Sequence, residues 1–267
     1  ARPSLYRLAR EERFPVSEEN GLYDFGCETF GYLRFKDVKG CGMLHIYYGE
    51  SREEALDKDF CETLDKIEIT GACTEIIVKD SKAFRFVYIE TEGDVTFESL
   101  SMDYEYAPQN LSKSGTFRCN DEELNRIWEV GAYTMDLTTR EFYVDGIKRD
   151  RWTWSGDAIQ SYLMNYYLRF DNECVKRTIR QLRGKDPVTA HINTIMDYTF
   201  YWFKSVYDYY LYTGDVAFVR ELYPRMRTLM DYVLGRTNEE GMVDGKPDDW
   251  IFVDWVDFPM HKRGTLC

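Results

Sequence analysis

The chain is short of positive charge. Its 34 lysines and arginines face 47 aspartates and glutamates, giving a net charge of −13 and an isoelectric point near 4.8. A chain of that sign repels a phosphate backbone, and no basic stripe offsets it, so nucleic acid is not an expected partner. No apolar run approaches the roughly 18 residues of a membrane span, and the opening ARPSLYRLAREERF carries no apolar stretch of signal type. No membrane association is expected. Histidine is scarce: His45, His191 and His261 lie far apart, none at ligand spacing to a cysteine or another histidine, and His45 reads as a structural residue in a strand. The seven cysteines are odd in number, scattered and free of CxxC pairs. That pattern argues against a disulfide framework and a zinc site. They read as reduced, mostly buried thiols, which leans toward the cytoplasm over a periplasmic or secreted location. Glycine-rich phosphate loops, dinucleotide fingerprints and the Gly-x-Ser-x-Gly elbow are missing too. Neither a metal nor an organic cofactor is expected.

Aromatic residues, by contrast, are plentiful: 21 Tyr, 16 Phe and 6 Trp. Their faces suit the apolar faces of sugar rings, and they equally fill the space between large helices. The length of 267 residues allows two moderate cores.

Two textures follow one another along the chain. From Phe25 to about Tyr106 short strand-like runs alternate with turns: Gly31–Phe35, Met43–Gly49, Lys66–Thr70 and Ala83–Glu90. In the last, Phe84, Phe86 and Tyr88 alternate with Arg85, Val87 and Ile89, the period of two of a strand with one buried face. After Gly93-Asp94, Val95, Phe97 and Ser99 share a face. This part reads as an antiparallel β-sandwich. At Ala107-Pro108-Gln109-Asn110 the strands stop, and the domain limits are set at 1–112 and 113–267. Asn120 and Glu123 read as a capping pair for a helix bearing Leu124, Ile127, Trp128 and Met135. Further helices are expected from about Asp157, over Cys174–Leu182 and over Thr194–Tyr212, the last ending at Gly214. Asp215 caps the next segment, and Pro224 suits the first turn of another helix reaching Leu234. Short connections make these helices antiparallel neighbours, so stacked helical hairpins follow the sandwich.

The segment Glu141–Asp157, EFYVDGIKRDRWTWSGD, stands apart. It holds Asp145, Asp150 and Asp157, the cations Lys148, Arg149 and Arg151, and two tryptophans, Trp152 and Trp154. One reading is a solvated loop whose charges pair with each other while the tryptophans plug the space between helix ends. The other is a site, because burying so many ionisable groups beside large aromatics is costly unless a site uses them. Glycoside hydrolysis uses such a set. One carboxyl protonates the leaving oxygen, another activates water, and further acidic and aromatic groups hold the sugar.

At these residues the chain resembles the inverting α-L-rhamnosidases of the six-hairpin group. These have an aspartate, an Arg-rich turn with an acidic residue followed by Arg, and then Trp-(Thr/Ser)-Gly-Asp. Here Asp145, Arg149-Asp150-Arg151 and Trp154-Ser155-Gly156-Asp157 stand in that order. The resemblance implies an (α/α)6 barrel, incomplete in this chain, behind the β-sandwich. It places Asp150 where the family has its general acid, usually a glutamate, with Asp157 in reserve. It implies substrate binding by Asp145, Arg149, Trp154 and Asp157. Less specifically, it points to Asp197 and Trp202 at the next hairpin connection and to Trp255, beside Asp254, at the one after. Trp202 also fits an aromatic helix pattern with Phe200, Phe203, Val206 and Tyr207, where it would be core. Tyr198, Tyr209, Tyr210 and Tyr212 read as helix packing.

The expected substrate is a rhamnose-containing oligosaccharide or glycoside. Two alternatives remain: another (α/α)6 glycosidase acting on glucosides or uronides, and a carbohydrate-binding protein without catalysis. Twelve helices of about 12 residues with connections of about 5 need roughly 200 residues, more than lie between Phe117 and Cys267. The family's general base, a glutamate on a late barrel loop, is accordingly expected beyond this chain, which alone should cleave rhamnosides poorly.

Overall fold

The computed structural model describes residues 8–109, 111–243 and 245. The chain divides into two compact units. One runs to Pro108 and takes in the turn Gly146–Arg151; the other comprises Gln109–Asp145 and the chain from Trp152 onward. Lys148 and Arg151 of that turn find their partners in the sheet unit.

Among the described residues the first unit contains eight strands, β1 (Ala9–Arg13), β2 (Ser17–Glu19), β3 (Leu22–Val38), β4 (Cys41–Gly49), β5 (Thr63–Thr70), β6 (Cys73–Ile77), β7 (Lys82–Gly93) and β8 (Ser99–Tyr106), with the short helix α1 (Arg52–Leu56) after β4. All their pairings are antiparallel. The long strand β3 serves two sets of strands. Its first half pairs with β2 and β7, which continues to β4 and β5; its second half pairs with β8 and β6, and β8 continues to β1. One strand shared in this way joins the two layers of a β-sandwich. The register against β7 shifts between Asp24 and Thr29, a bulge that bends β3 and frees the residues within it from the ladder.

Burial follows the strand period, with one departure from expectation. In β7 Phe84 is core, but further along Val87 and Ile89 are buried while Phe86 and Tyr88 are partly exposed. The aromatics find amphipathic roles on the other face: the Arg85 guanidinium lies 4.7 Å from the Phe86 ring and Lys58 approaches Tyr88 at 5.5 Å. β8 is buried on both faces between β1 and β3, and there Asp103 accepts two hydrogen bonds from Arg34 at 2.7 and 2.6 Å. Short or edge strands such as β1, β2 and β6, like α1, carry too little apolar periodicity to stand out in the sequence.

The second unit contains α2 (Glu122–Thr138), α3 (Ser155–Leu168), α4 (Asn172–Leu182), α5 (Met196–Thr213) and α6 (Val216–Leu234). Asp121, not Asn120, caps α2: its carboxylate accepts the N–H groups of Glu123 and Leu124, two donors the first turn leaves without intrahelical partners. α5 ends at Gly214 with φ 68°, the left-handed conformation that favours glycine. Asp215 caps α6 by accepting from the Phe218 N–H at 3.0 Å. Pro224 does not open a new helix. It lies inside α6, where it deprives the Arg220 carbonyl of its helical donor. Phe218 and Leu222 are buried in the same core as Leu229, and that packing on either side of the proline keeps the helix continuous. Among the described residues no helix is long and apolar enough to cross a membrane.

Candidate active site

The distinctive segment divides into a neck, a turn and a helix start. At the neck the Asp145 N–H donates to the Trp152 carbonyl at 3.0 Å, and the Trp152 N–H donates to Asp145 Oδ1 at 2.9 Å. This reciprocal pair closes the six-residue turn without using secondary structure.

Beyond the neck, Asn193 organises the entry to α3. Its amide nitrogen donates to the Thr153 carbonyl at 3.0 Å and its oxygen accepts from the Ser155 N–H at 3.0 Å. A single side chain thus holds both backbone neighbours of Trp154, the N-cap residue of α3, whose own side chain makes no cap bond. Asn193 adopts φ 54°, a conformation asparagine tolerates better than most residues. The Trp154 ring meets Tyr198 edge to face with centroids 6.3 Å apart. The buried Trp154 Nε1–H has no hydrogen-bond partner among the described residues. Gly156 faces the same tyrosine so closely that a Cβ there would stand 2.6 Å from Tyr198 Cε1.

The charges of several carboxylates act on Tyr198. Burial, the largest cause, pushes its hydroxyl up to about 12, and the negative charges of Asp157, Asp145 and Asp197 add to the shift. Asp157 lies in the first turn of α3 and Asp197 in that of α5, so the starts of these two packed helices bring the acids together. Carboxylate acceptors beside aromatic rings form a set suited to the hydroxyls and apolar face of a sugar.

The turn belongs to the sheet unit. Ile147 is buried; Lys148 reaches Glu54 at 2.6 Å, Glu50 at 3.4 Å and Glu62 at 3.8 Å; Arg151 Nη1 donates to the Ser81 carbonyl at 2.7 Å. Arg149 and Asp150 are exposed and make no hydrogen bond or ion pair among the described residues. Arg149 and Arg151 border a polar cavity of about 340 Å³ together with Lys148, Lys82 and Glu62; Asp150 is not in its lining.

The structure therefore gathers Asp145, Trp154, Asp157 and Asp197, and sets Arg149 and Asp150 on the turn. Trp202 joins neither group. It is fully buried in the helical core, and its Nε1–H donates to the Ile179 carbonyl at 2.8 Å, so no sugar reaches it. Trp255 and Asp254 lie outside the described residues. Sequence reasoning missed Asn193 and the central place of Tyr198. An isolated asparagine gives no periodic signal, and a tyrosine in an aromatic helix reads as packing, which is half of what Tyr198 does.

Comparison with known proteins bears on this geometry. Residues 112–265 match the bacterial α-L-rhamnosidase six-hairpin glycosidase domain, and residues 1–89 match an α-rhamnosidase-like N-terminal domain of bacteroidetes. The chain belongs to the bacterial α-L-rhamnosidase family. An α-L-rhamnosidase of Formosa agariphila is 24% identical over 174 residues, which cover 55% of this chain and 18% of that protein. Among solved structures, a Klebsiella oxytoca rhamnosidase with rhamnose bound superposes with a TM-score of 0.78 at 22% identity, covering 94% of this chain and 61% of that one. A GH78 family rhamnosidase of Bacillus sp. GL1 gives 0.76 at 20% identity, over 90% of this chain and 26% of that one. The chain spans less than two thirds of each of these relatives, and at such identities the structural likeness speaks for the fold: a β-sandwich followed by helices of a six-hairpin barrel.

Proposed function

We propose that this chain supplies part of the active site of an inverting α-L-rhamnosidase that releases terminal α-L-rhamnose. The observation that carries the reading is the Trp154–Tyr198 ring pair at the starts of α3 and α5, within reach of the charges of Asp145, Asp157 and Asp197, in a chain of this family. In it, Asp145, Arg149, Trp154, Asp157 and Asp197 hold the sugar. Asp150 is the general acid: its carboxyl gives a proton to the glycosidic oxygen as the bond to the anomeric carbon breaks, while water, activated by a base outside this chain, adds from the opposite face. Asp150 stands exposed on its turn, where a glycosidic oxygen can approach it.

The test uses the full-length protein. It should hydrolyse p-nitrophenyl α-L-rhamnoside with β-L-rhamnose as the first anomer seen by NMR, and Asp150→Asn should lower kcat by about 10²–10⁴-fold. Turnover of glucosides or uronides but not rhamnosides would replace the substrate assignment. Rhamnose binding without hydrolysis would make the protein a carbohydrate-binding one.

A further inference from the structure

We infer that Lys148 is a positioning residue: through Glu54 it fastens the turn bearing Asp150 to the sheet and so sets where that carboxyl stands. The inference rests on the reading of Asp150 as general acid. Its basis is the alternation of held and unheld side chains along the turn. Ile147 is buried, Lys148 is ion-paired, and Arg151 is bonded to Ser81. Arg149 and Asp150, between these anchors, have no partner among the described residues. Fixing a turn on both sides of one exposed carboxyl is what presenting that carboxyl requires.

The Lys148 anchor differs from an ordinary surface ion pair. Its side chain is 16% exposed and that of Glu54 20%. The carboxylates come from α1 and from residues flanking β4 and β5, so the cation ties three stretches of the sheet unit to one point. Acid exceeds base around it. Glu28, on the β3 bulge, is pushed up to about 8 first by burial and then by the charges of Glu50 and Glu54, with Lys148 opposing. Removing the cation leaves these acids repelling one another where the turn docks.

The readout is the dependence of rate on the leaving group. A poor leaving group needs its oxygen protonated as the bond breaks, whereas an activated one departs almost unaided, so a displaced acid selectively slows the former. In the full-length enzyme, Lys148→Met and Glu54→Gln should each cut kcat/KM for phenyl α-L-rhamnoside by about 10–100-fold, the size of effect expected of a misplaced catalytic group. The loss for 2,4-dinitrophenyl α-L-rhamnoside should stay within about 3-fold. Lys148→Arg, which keeps the charge, should restore most of the difference and covers the case in which the methionine variant does not fold. Equal losses for both substrates, or none, in the folded variants would overturn the inference while leaving Asp150 in place, provided Asp150→Asn shows the leaving-group dependence. If Asp150→Asn itself lacks that dependence, the acid assignment falls and this inference with it.

Discussion

Asp145 and Trp152 hold each other twice, once through two backbone groups and once through a side-chain oxygen, and the turn between them carries the candidate acid. In the proposed reading Asp145 has two separable duties, closing the neck and offering a carboxylate to substrate. Asn keeps an acceptor for the Trp152 N–H; Ala does not. Asp145→Ala should lose about 5-fold more kcat/KM on an aryl rhamnoside than Asp145→Asn, the equivalent of one hydrogen bond of about 1 kcal/mol. Steady-state kinetics on the two variants checks this, and equal losses would show that the neck bond contributes nothing.

Gly156 is fixed by its neighbour. A methyl group there would meet Tyr198 Cε1 and Cζ at 2.6 and 2.7 Å, so the ring must swing away from Trp154. Gly156→Ala should destabilise the protein by about 1–3 kcal/mol, as overpacking does, and raise KM more than it lowers kcat. Thermal melts and kinetics together check it; an unchanged Tm would mean that the ring yields freely.

Glu28 links stability to pH. Its folded-state value, about 8, lies above the ordinary 4.5, so between these limits the folded chain binds more protons at this residue than the unfolded chain. Its contribution is fully present below pH 4.5 and is lost as the pH rises through about 8, with a slope of at most about 1.4 kcal/mol per pH unit. Glu28→Gln should flatten that fall. Denaturant unfolding from pH 5 to 9 measures it, and identical profiles for both proteins would refute the assignment.

Trp202 separates core from site. Trp202→Phe removes one of the two donors to the Ile179 carbonyl, which keeps the Arg183 N–H at 3.3 Å, and leaves space beside the smaller ring; it should cost about 1–3 kcal/mol of stability. In folded enzyme at low temperature kcat and KM should stay within about 2-fold, since such losses act on the folded population. A several-fold rise in KM with an unchanged Tm would return this residue to the sugar.

Periodicity made most of the fold readable before any coordinates. β4, β5, β7 and β8 and all five long helices overlap runs that show a period of two or near 3.6. What escaped has a physical reason in each case. β3 is one strand of 17 residues, longer than any alternating run in its sequence, because its two halves are buried against different partners. Pro224 suggested a helix start, but buried neighbours on both sides outweighed its missing N–H. In the candidate site, the motif from Asp145 to Asp157 named the acids, since charge and tryptophan density are visible in one dimension. Asn193, Tyr198 and the carboxylates around Lys148 were not visible, because each acts on residues tens of positions away.

The pairing of Ala9 with Tyr106 carries a consequence for biosynthesis. Strand β1 waits for β8, and the second half of β3 waits for the same partner, so this layer stays open until the chain as far as Tyr106 has left the ribosome. During that interval unpaired edges are exposed, and a ribosome stalled before Tyr106 would hold a nascent chain poised for aggregation.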